Sequence, residues 1–536
     1  MAIELSTITF TNGADIVPES GEDDILNTGI ANTLDGNDTI TGKWSSAAGY
    51  FSSPWKAYGI YNTGTLNTAE GHDEITGTGN PSFGDGIYNT GIFDTAEGND
   101  TISAQGPYST GIYNIGTFNT AEGDDIITAT GSSGSSEAIV NSGTFNTAEG
   151  DDIITATGRW GGIDNSGNFN TADGNDIITG ITSHYEGILI AEGSIFDTGN
   201  GNDKISGHSK YSGTGIYNES ITFNTGDGDD TIEGTGYNSG IKNEGFISTG
   251  NGKDTIIANG PLSGRDLSNF FIIDTGDDDD IITTKNCIYN EGNIDTGDGN
   301  DTITSTGFIY SLSINTPRNR ISNDGTINTG NGQDSIISHG SFINKGNVFL
   351  GEGNDSITAS IIAEVGFPDR ALENFNAIET GDGNDTITIA GAIYNEGIIT
   401  TGNGDDSIIV DGGTDDITGT TYGIHNNGGA INMGDGNDSI IANEGFESAE
   451  NSSGAWFLGE GDDYIKGYGS GDFYGGNGFD TLELTPGTYT VGIWGESPIF
   501  TKGNQLMITS EFEQLKAGST IYDLSSLTAG QIIVVT

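Results

Sequence analysis

The pattern Gly-x-Asp-x-Ile returns nineteen times along this chain at a nearly constant spacing. Isoleucine stands two positions after every one of these aspartates except the last, where the residue is Leu482, and glycine stands two positions before each except Asp280. The mean repeat is about 25 residues, a length typical of solenoids, in which each coil buries its apolar face by stacking on its neighbours. The aspartates are Asp23, Asp38, Asp73, Asp100, Asp125, Asp152, Asp176, Asp203, Asp230, Asp254, Asp280, Asp301, Asp334, Asp355, Asp385, Asp406, Asp438, Asp463 and Asp480.

One repeat, from Asp100 to Asp125, predicts three short strands separated by turns. β-Branched and aromatic residues stand in short runs bounded by Gly, Ser, Asn and Asp, which indicates strands and not helices. The chain is therefore predicted to be all-β, a long parallel β-solenoid of the β-helix or β-roll type. We expect an N-terminal strand or cap over residues 1–20, the solenoid over residues 21–482, and a small β-rich cap over residues 483–536.

A second motif, Ile-Tyr-Asn, marks the second strand of many repeats. Successive side chains of a strand point to opposite faces, so Ile and Asn share one face and Tyr takes the other. We expect the stacked asparagine amides to hydrogen-bond along the solenoid. Copies stand at Ile60–Asn62, Ile87–Asn89, Ile112–Asn114, Ile216–Asn218, Ile288–Asn290 and Ile393–Asn395.

The charge balance calls for neutralisation from outside the protein. Asp and Glu number 77 against 16 Lys and Arg, which gives a net charge of −61. Cations are the obvious means, whereas nucleic acid is an unsuitable partner because phosphate binding needs clustered Lys and Arg. No stretch has the roughly 20 apolar residues of a membrane span. The N-terminus has neither the basic nor the apolar region of a cleavable secretory signal.

The acidic turn before each first strand predicts calcium sites. In its fullest form it reads Thr225-Gly226-Asp227-Gly228-Asp229-Asp230-Thr231-Ile232. Ca²⁺ prefers six to eight oxygen ligands from carboxylates and carbonyls, and glycines permit the tight turn that presents them. Parallel stacking at about 4.8 Å per coil places each aspartate close to that of the next coil, where two carboxylates repel unless a cation lies between them.

We expect metal ligands chiefly where the turn contains two glycines. They are Asp203, Asp227, Asp230, Asp254, Asp277, Asp280, Asp298, Asp301, Asp334, Asp355, Asp382, Asp385, Asp406, Asp435, Asp438, Asp463, Asp472 and Asp480, with Gly226, Gly228, Gly297, Gly299, Gly381 and Gly383. In several earlier turns alanine replaces the first glycine, and alanine resists a left-handed backbone. Weaker binding is therefore expected at Asp38, Asp73, Asp100, Asp125, Asp152 and Asp176.

These turns resemble the RTX, or haemolysin-type, calcium-binding repeat, Gly-Gly-x-Gly-x-Asp-x-(apolar)-x, a known β-helix repeat. The match is best near Leu458–Ile465 and Gly475–Leu482, where Asp463, Asp472 and Asp480 have nearly the spacing of that family. The chain departs from the family in its longer repeat and in the Thr that mostly replaces the first glycine of the family's motif. The resemblance implies several bound Ca²⁺ ions between successive turns of a parallel β-roll.

The resemblance also implies export by type I secretion, with an uncleaved signal in the tail over residues 483–536. We therefore expect a secreted, extracellular protein at the cell surface. Its role would be structural or adhesive, with no catalytic activity, and copies of the chain could assemble into filaments or a sheath. In composition and repeat style the chain is similar to the oscillin-like RTX surface proteins of gliding cyanobacteria.

Two alternatives remain open at this stage. One is a polysaccharide-binding or polysaccharide-modifying β-helix of the lyase or epimerase kind, although the five histidines are scattered along the chain. An aromatic segment from Lys43 to Tyr58 could contact a cell-surface polysaccharide or a second protomer. The other is an ice- or glycan-binding solenoid, in which threonines before the acidic turn order water. The same threonines could instead satisfy turn backbones; they include Thr68, Thr95, Thr120, Thr147, Thr171, Thr198, Thr225 and Thr275.

Overall fold

The structure is a computed structural model that describes residues 2–18, 23–44, 57–134, 136–261, 265–306, 320–361, 369–415, 420–448 and 454–536. It divides into two compact units, Met1–Asp277 and Asp278–Thr536. In each unit three short strands recur per coil, and each strand pairs in parallel with its counterpart in the next coil. The predicted parallel β-solenoid is confirmed.

In the first unit the three strands of a coil form three sheets. The first sheet follows the acidic turns and contains Ile16–Val17, Thr39–Lys43, Glu74–Thr78, Thr101–Gly106, Ile126–Gly131, Ile153–Gly158, Ile177–Thr182, Lys204–Ser209, Thr231–Thr235 and Thr255–Asn259. The second sheet contains Ile3–Glu4, Ile25–Asn27, Ile60–Asn62, Ile87–Asn89, Ile112–Asn114, Glu137–Asn141, Gly161–Asn165, Ile188–Ile190, Thr214–Asn218, Ser239–Asn243 and Leu267–Asn269. The third contains Ile30–Asn32, Thr65–Asn67, Ile92–Asp94, Thr117–Asn119, Thr144–Asn146, Asn168–Asn170, Ile195–Asp197, Phe223–Asn224, Phe246–Ser248 and Ile272–Asp274.

The second unit repeats this arrangement. Its first sheet contains Ile281–Thr284, Thr302–Ser305, Ser335–Ser338, Ser356–Ser360, Thr386–Ala390, Ser407–Val410, Ser439–Ala442, Tyr464–Lys466, Thr481–Leu484, Gln514–Ala517 and Thr520–Asp523. The second contains Cys287–Asn290, Arg320–Asn323, Ser341–Asn344, Arg370–Asn374, Ala392–Asn395, Ile424–Asn426 and Phe446–Ser448. The third contains Asn293–Asp295, Thr326–Asn328, Asn347–Phe349, Ala377–Asp382, Ile398–Asn403, Ala430–Asp435, Ala455–Glu460, Gly471–Asn477, Gly487–Trp494, Ser497–Lys502, Gln505–Ser510 and Ile532–Val535, and a separate hairpin pairs Gly413–Asp415 with Thr420–Tyr422.

Strand pairing changes after Leu484 in the second unit. Gln514–Ala517 and Gln505–Ser510 still continue the first and third sheets in parallel. Gly487–Trp494 and Ser497–Lys502, by contrast, pair with each other and with their neighbours in antiparallel fashion. The helices among the described residues are the single 3₁₀ turns Leu5–Thr7 and Leu524–Ser526. In the same residues, no helix has both the length and the apolar character that crossing a membrane requires.

Columns of identical apolar side chains form the core. The isoleucine of the repeat faces inward in every coil of the first sheet, so that Ile102 stands in register with Ile127 and Ile127 with Ile154, all at most 1% exposed. On the third sheet Phe118 and Phe145 stack with ring centroids 4.7 Å apart. Because each coil covers its apolar face with the next, the core extends lengthwise and needs no second layer.

Stacked asparagines on the second sheet confirm the Ile-Tyr-Asn prediction. Asn114 is buried; its amide nitrogen donates to Asn141 Oδ1 at 2.8 Å, and its carbonyl oxygen accepts from Asn89 at 2.8 Å. The tyrosines point outward, and Tyr61, Tyr88 and Tyr113 stack face to face. The ladder comprises Asn27, Asn62, Asn89, Asn114, Asn141 and Asn165, then Asn218, Asn243 and Asn269, and in the second unit Asn290, Asn323, Asn344, Asn374, Asn395 and Asn426.

The threonines before the acidic turns are buried, as Thr68 and Thr95 show at 0% exposure. The Thr68 hydroxyl donates to the carbonyl of Thr95 in the next coil at 3.2 Å. Burial keeps this column away from surface water, so the hypothesis that it orders surface water is wrong; the hydroxyls of Thr68 and Thr95 each satisfy a turn carbonyl instead. Of the predicted aromatic segment, residues 45–56 lie outside the described part, while Tyr58 packs against Tyr61 and Tyr88.

We predict that Asn114→Ala destabilises the protein by about 2–4 kcal/mol, because it removes the three hydrogen bonds that the buried Asn114 amide makes with Asn89, Asn141 and the carbonyl of Thr144. Urea unfolding monitored by circular dichroism measures the loss. Asn146→Ala is the matched control, because Asn146 makes similar amide hydrogen bonds on the third sheet where water reaches them. Equal losses in the two variants would show that burial of the ladder is not what matters.

Candidate metal sites in the acidic turns

The repeated aspartate lies under the turn and not on its surface. Asp125 and Asp152 are 1% and 0% exposed. Oδ1 of each accepts a hydrogen bond from the backbone N–H of the equivalent aspartate one coil earlier: Asp100 N–H donates to Asp125 at 2.7 Å, and Asp125 N–H donates to Asp152 at 2.8 Å. The second unit has the same ladder, as between Asp355 and Asp385 at 2.8 Å. The predicted column of aspartates is therefore present, and one oxygen of each carboxylate accepts a hydrogen bond from the preceding coil.

The second oxygen of each carboxylate, Oδ2, takes no part in this ladder. In most coils Oδ2 is buried and has no hydrogen-bond partner among the described residues. The threonine hydroxyl five residues earlier is nearby: that of Thr95 donates to a carbonyl of the next coil, whereas those of Thr120 and Thr147 make no hydrogen bond among the described residues. These oxygens belong to Asp38, Asp73, Asp100, Asp125, Asp152, Asp176, Asp203 and Asp230, and in the second unit to Asp301, Asp334, Asp355, Asp385, Asp406, Asp438, Asp463 and Asp480.

Burial raises the pKa of these carboxyl groups well above the usual value. Loss of hydration is the main cause, and it raises the pKa of Asp152 to about 8 and that of Asp125 to about 7. The nearby Thr147 hydroxyl and the hydrogen bond from the backbone N–H of Asp125 lower the pKa of Asp152, but neighbouring column carboxylates raise it again. In the second unit the pKa of Asp438 rises to about 7 for the same reason. Near neutral pH each coil must therefore accommodate a buried charge or bind a proton or a cation.

The predicted ligands between the two glycines point outward. Asp227 and Asp298 are exposed, and their Oδ1 atoms accept the backbone N–H of Asn251 and Asn331 in the next coil, each at 3.1 Å. Asp277, Asp382 and Asp435 are exposed at the same position of their turns. The turn therefore has two separate polar columns, a buried one of carboxylates and a surface one that contains both Asp and Asn.

The glycines and alanines of the turn adopt the left-handed backbone that the sequence predicts. Gly226 has φ +85°, and a Cβ there would lie 1.8 Å from the carbonyl oxygen of Gly199. Gly228 has φ +149°, and its Cβ would lie 2.0 Å from the oxygen of Gly201. Alanine is present in the same conformation in five earlier turns, at Ala69, Ala96, Ala121, Ala148 and Ala172, with φ between 58° and 62°. The left-handed turn is thus shared by all of these coils, and the expected difference in calcium affinity stays a prediction.

Two aspartates of the predicted pattern lie elsewhere. Asp23 precedes Ile25–Asn27, a strand of the second sheet, and the column position is taken by Asp15, whose N–H donates to Asp38 Oδ1 at 2.7 Å. Asp472 lies on the strand Gly471–Asn477, facing outward, and not in a turn. At the far end Glu513 extends the column, since its Oε2 accepts the N–H of Asp480 at 2.8 Å.

Both column members that the pattern missed carry a sequence signal. Gly13-Ala14-Asp15-Ile16-Val17 fits the repeat if Val replaces Ile, and Val17 is buried. Glu513 stands two positions before Leu515, which is fully buried in the same way as the repeated isoleucines. A search that accepted any acidic residue two positions before any aliphatic one would have found both.

In the metal-free protein, stability should fall as pH rises. The folded-state pKa values, about 6 to 8, exceed the ordinary value of 3.8, so the folded chain binds more protons than the unfolded one in this window. The stabilisation is complete below about pH 4 and is lost as pH rises through about 8. In EDTA, we expect the strand signal in circular dichroism to be present at pH 5.5 and to be lost as the pH is raised towards 8.

Asp152→Asn tests the column directly, because it keeps the Oδ1 acceptor and removes the charge. In EDTA it should shift the midpoint of the pH-induced loss of strand signal to higher pH, as expected for a gain of about 1–3 kcal/mol above the pKa of Asp152, and at pH 5 it should have little effect. Asp151→Asn is the control, since Asp151 is exposed and hydrogen bonds from Asn175 lower its pKa. A midpoint shifted to lower pH in Asp152→Asn would contradict the buried-charge interpretation.

Comparisons with known proteins assign no family. No family model matches the chain, and no curated protein matches it. Among solved structures, it is similar to a hyperactive, Ca²⁺-dependent, β-helical antifreeze protein from an Antarctic bacterium, with 21% sequence identity and a TM-score of 0.35. That alignment covers 60% of this chain and 84% of that protein. The similarity is too distant to support any statement about function.

Proposed function

We propose that this protein is a secreted, calcium-dependent structural and adhesive component of the cell surface, with no catalytic role. The observation that carries the proposal is the column of buried carboxylate oxygens without partners in successive coils. A buried, unpaired anion costs several kcal/mol unless something compensates it. A divalent cation shared by neighbouring turns compensates two such oxygens at once.

The donor chemistry of the turns fits Ca²⁺ better than a transition metal. Carboxylate and carbonyl oxygens surround the candidate positions, and Ca²⁺ is a hard cation that takes such ligands in flexible geometry. The described residues contain no cluster of three or more Asp, Glu, His or Cys side chains that could hold a metal. The Oδ2 atoms of the buried column would therefore act together with turn carbonyls from adjacent coils.

Export and location rest on the resemblance to RTX repeats. Such a chain would cross the envelope unfolded where calcium is scarce and fold outside the cell where it is abundant, which suits a fold that depends on the ion. Self-association into filaments and contact with a cell-surface polysaccharide belong to the same proposal. Nucleic acid is not a partner in this proposal, because acidic residues outnumber basic ones by 77 to 16.

Removal of calcium should unfold the solenoid at neutral pH. Chelation leaves the column charged and unpaired and the net charge of −61 uncompensated, so EDTA at pH 8 should abolish the strand signal in circular dichroism. Millimolar Ca²⁺ should restore it, and Mg²⁺ should restore much less, because it demands octahedral geometry and gives up its waters reluctantly. A circular dichroism spectrum that chelation does not change would contradict the proposal.

A second candidate function is ice binding, and one face of the first unit favours it. The outward side chains of four consecutive first-sheet strands are Thr101, Ser103, Gln105, Ile126, Thr128, Thr130, Ile153, Thr155, Thr157, Ile177, Thr179 and Ile181. None of them is charged in a chain of net charge −61. Parallel pairing in strict register spaces them about 4.8 Å apart between coils and about 6.6 Å along each strand.

Such a surface suits a ligand that is itself periodic in two dimensions. Threonine methyl and hydroxyl groups alternate with the half-exposed Ile126, Ile153 and Ile177, so the face can hold water in an ordered layer without the strong hydration shells of charged groups. It carries no aromatic ring, which a crystalline polysaccharide would use for stacking. Ice is therefore the periodic ligand that we infer for this face.

We predict that Thr128→Lys with Thr155→Lys removes most of the ice affinity, because the two side chains place charge at the centre of the face. Thermal hysteresis and partition into a growing ice front, both in Ca²⁺, measure it. The control pair, Thr117→Lys with Thr144→Lys, lies on the third sheet of neighbouring coils and should retain wild-type values. Absence of hysteresis in the folded wild-type protein would exclude ice as the ligand.

A further inference from the structure

One corner of the first unit carries a row of exposed aromatic side chains. This corner joins a first-sheet strand to the second-sheet strand of the same coil. Tyr185, Tyr211 and Tyr237 stand at this corner in consecutive coils and are 53%, 56% and 57% exposed. Trp160 occupies the coil before them, and Tyr108 stands at the same corner two coils further back, 54% exposed. Exposed aromatic residues are ordinary when scattered, but a row of them on one edge marks an interaction site.

The corners are connected to each other, so the row is a continuous strip. The backbone N–H of Tyr185 donates to the carbonyl of Trp160 at 3.0 Å, and that of Tyr211 donates to Ser183 at 2.9 Å. The Trp160 ring lies 4.8 Å from that of Tyr185 and 5.4 Å from that of His184, and the His184 ring lies 6.0 Å from that of Tyr211. We name Trp160, His184, Tyr185, Tyr211 and Tyr237 the aromatic strip.

Two cations accompany the aromatic strip in a chain that has few. Arg159 and Lys210 each stand directly before an aromatic residue of the strip. Lys210 Nζ lies 4.9 Å from the centroid of the Tyr211 ring. Their corners are two coils apart, about 10 Å at the usual strand spacing, which is comparable to the length of a disaccharide unit in an extended chain. A ligand with a negative group on every second sugar would meet both cations.

We propose that the aromatic strip binds an extended polysaccharide that carries acidic groups. Sugar rings present apolar C–H faces, which pack on aromatic side chains, and acidic substituents would pair with Arg159 and Lys210. The strip follows a straight edge across four coils, so it matches a linear polymer better than a compact ligand. The inference deepens the adhesive role proposed above by naming the ligand class.

The experiment compares two soluble polymers with the same backbone, carboxymethylcellulose and hydroxyethylcellulose, by affinity electrophoresis in Ca²⁺. We expect the wild-type protein to be retarded more strongly by the acidic polymer. Tyr185→Ala with Tyr211→Ala should weaken binding by about tenfold or more. Arg159→Gln with Lys210→Gln should weaken binding of carboxymethylcellulose and leave hydroxyethylcellulose unchanged.

Matched controls are Trp494→Ala, which removes a 68% exposed aromatic residue elsewhere, and Lys345→Gln, which removes an exposed cation. Both should bind as the wild type does. Equal affinity for the two polymers, or no binding to either by the folded protein, would overturn the inference. Loss of self-association in the aromatic variants, measured by sedimentation without any change in polymer binding, would assign the strip to a second copy of the chain and overturn it as well.

Circular dichroism with and without EDTA separates this inference from the calcium proposal. If chelation leaves both fold and polymer binding intact, calcium dependence fails and the binding site stands. If the protein unfolds in EDTA but shows no affinity for either polymer in Ca²⁺, the calcium proposal stands and the aromatic strip has another role.

Discussion

The hydrogen bond between one coil's backbone N–H and the next coil's aspartate is the interaction on which this solenoid depends. Each acidic turn presents a backbone N–H inward, and the carboxylate that accepts it belongs to the following coil, as between Asp125 and Asp152. The turn therefore cannot be satisfied within its own coil. Asparagine amides on the second sheet obey the same rule, so polar and apolar columns alike require the neighbour in register.

This ladder also explains why the folded protein contains buried charges that protons or cations from the solvent can neutralise. A neutral acceptor such as asparagine would satisfy the turn N–H without a charge, as it does on the second sheet. Aspartate instead introduces a second, charged oxygen. Burial leaves this oxygen without a partner and raises the pKa of the carboxyl group. If Ca²⁺ binds this oxygen as proposed, protons and Ca²⁺ would compete for it, and acidification and calcium would stabilise the same structure by different means. A column of carboxylates makes the stability of the fold depend on the pH and the cations of the solution, whereas a column of amides would not.

Much of the fold follows from the repeat alone. An isoleucine two positions after each aspartate, and Ile-Tyr-Asn further on, specify which side chains face inward, and the structure has them there. The spacing could not show that Asp23 lies before a second-sheet strand, because the local pattern around Asp23 and Asp38 is the same. Nor could it show that Asp472 is on a strand, since Gly and Asp also stand where a strand begins. The sequence predicted a column of metal ligands in the acidic turns, but the direction of each carboxylate depends on a hydrogen bond across coils, which no pattern within one coil contains.

The columns also determine how far the effect of a substitution extends along the solenoid. In a solenoid each coil contacts only its neighbours, so stability is a sum of local and nearest-neighbour contributions. Replacing one column aspartate affects two interfaces: the one through which it accepts a hydrogen bond and the one through which its own N–H donates. At the end of the second unit's ladder, Glu513 accepts from Asp480, and the strand after it, Gln514–Ala517, pairs with the antiparallel strand Thr520–Asp523 in place of a further coil. Gln514–Ala517 still pairs in parallel with Thr481–Leu484, which places Glu513 beside Asp480, so the last acidic turn is satisfied without a further repeat.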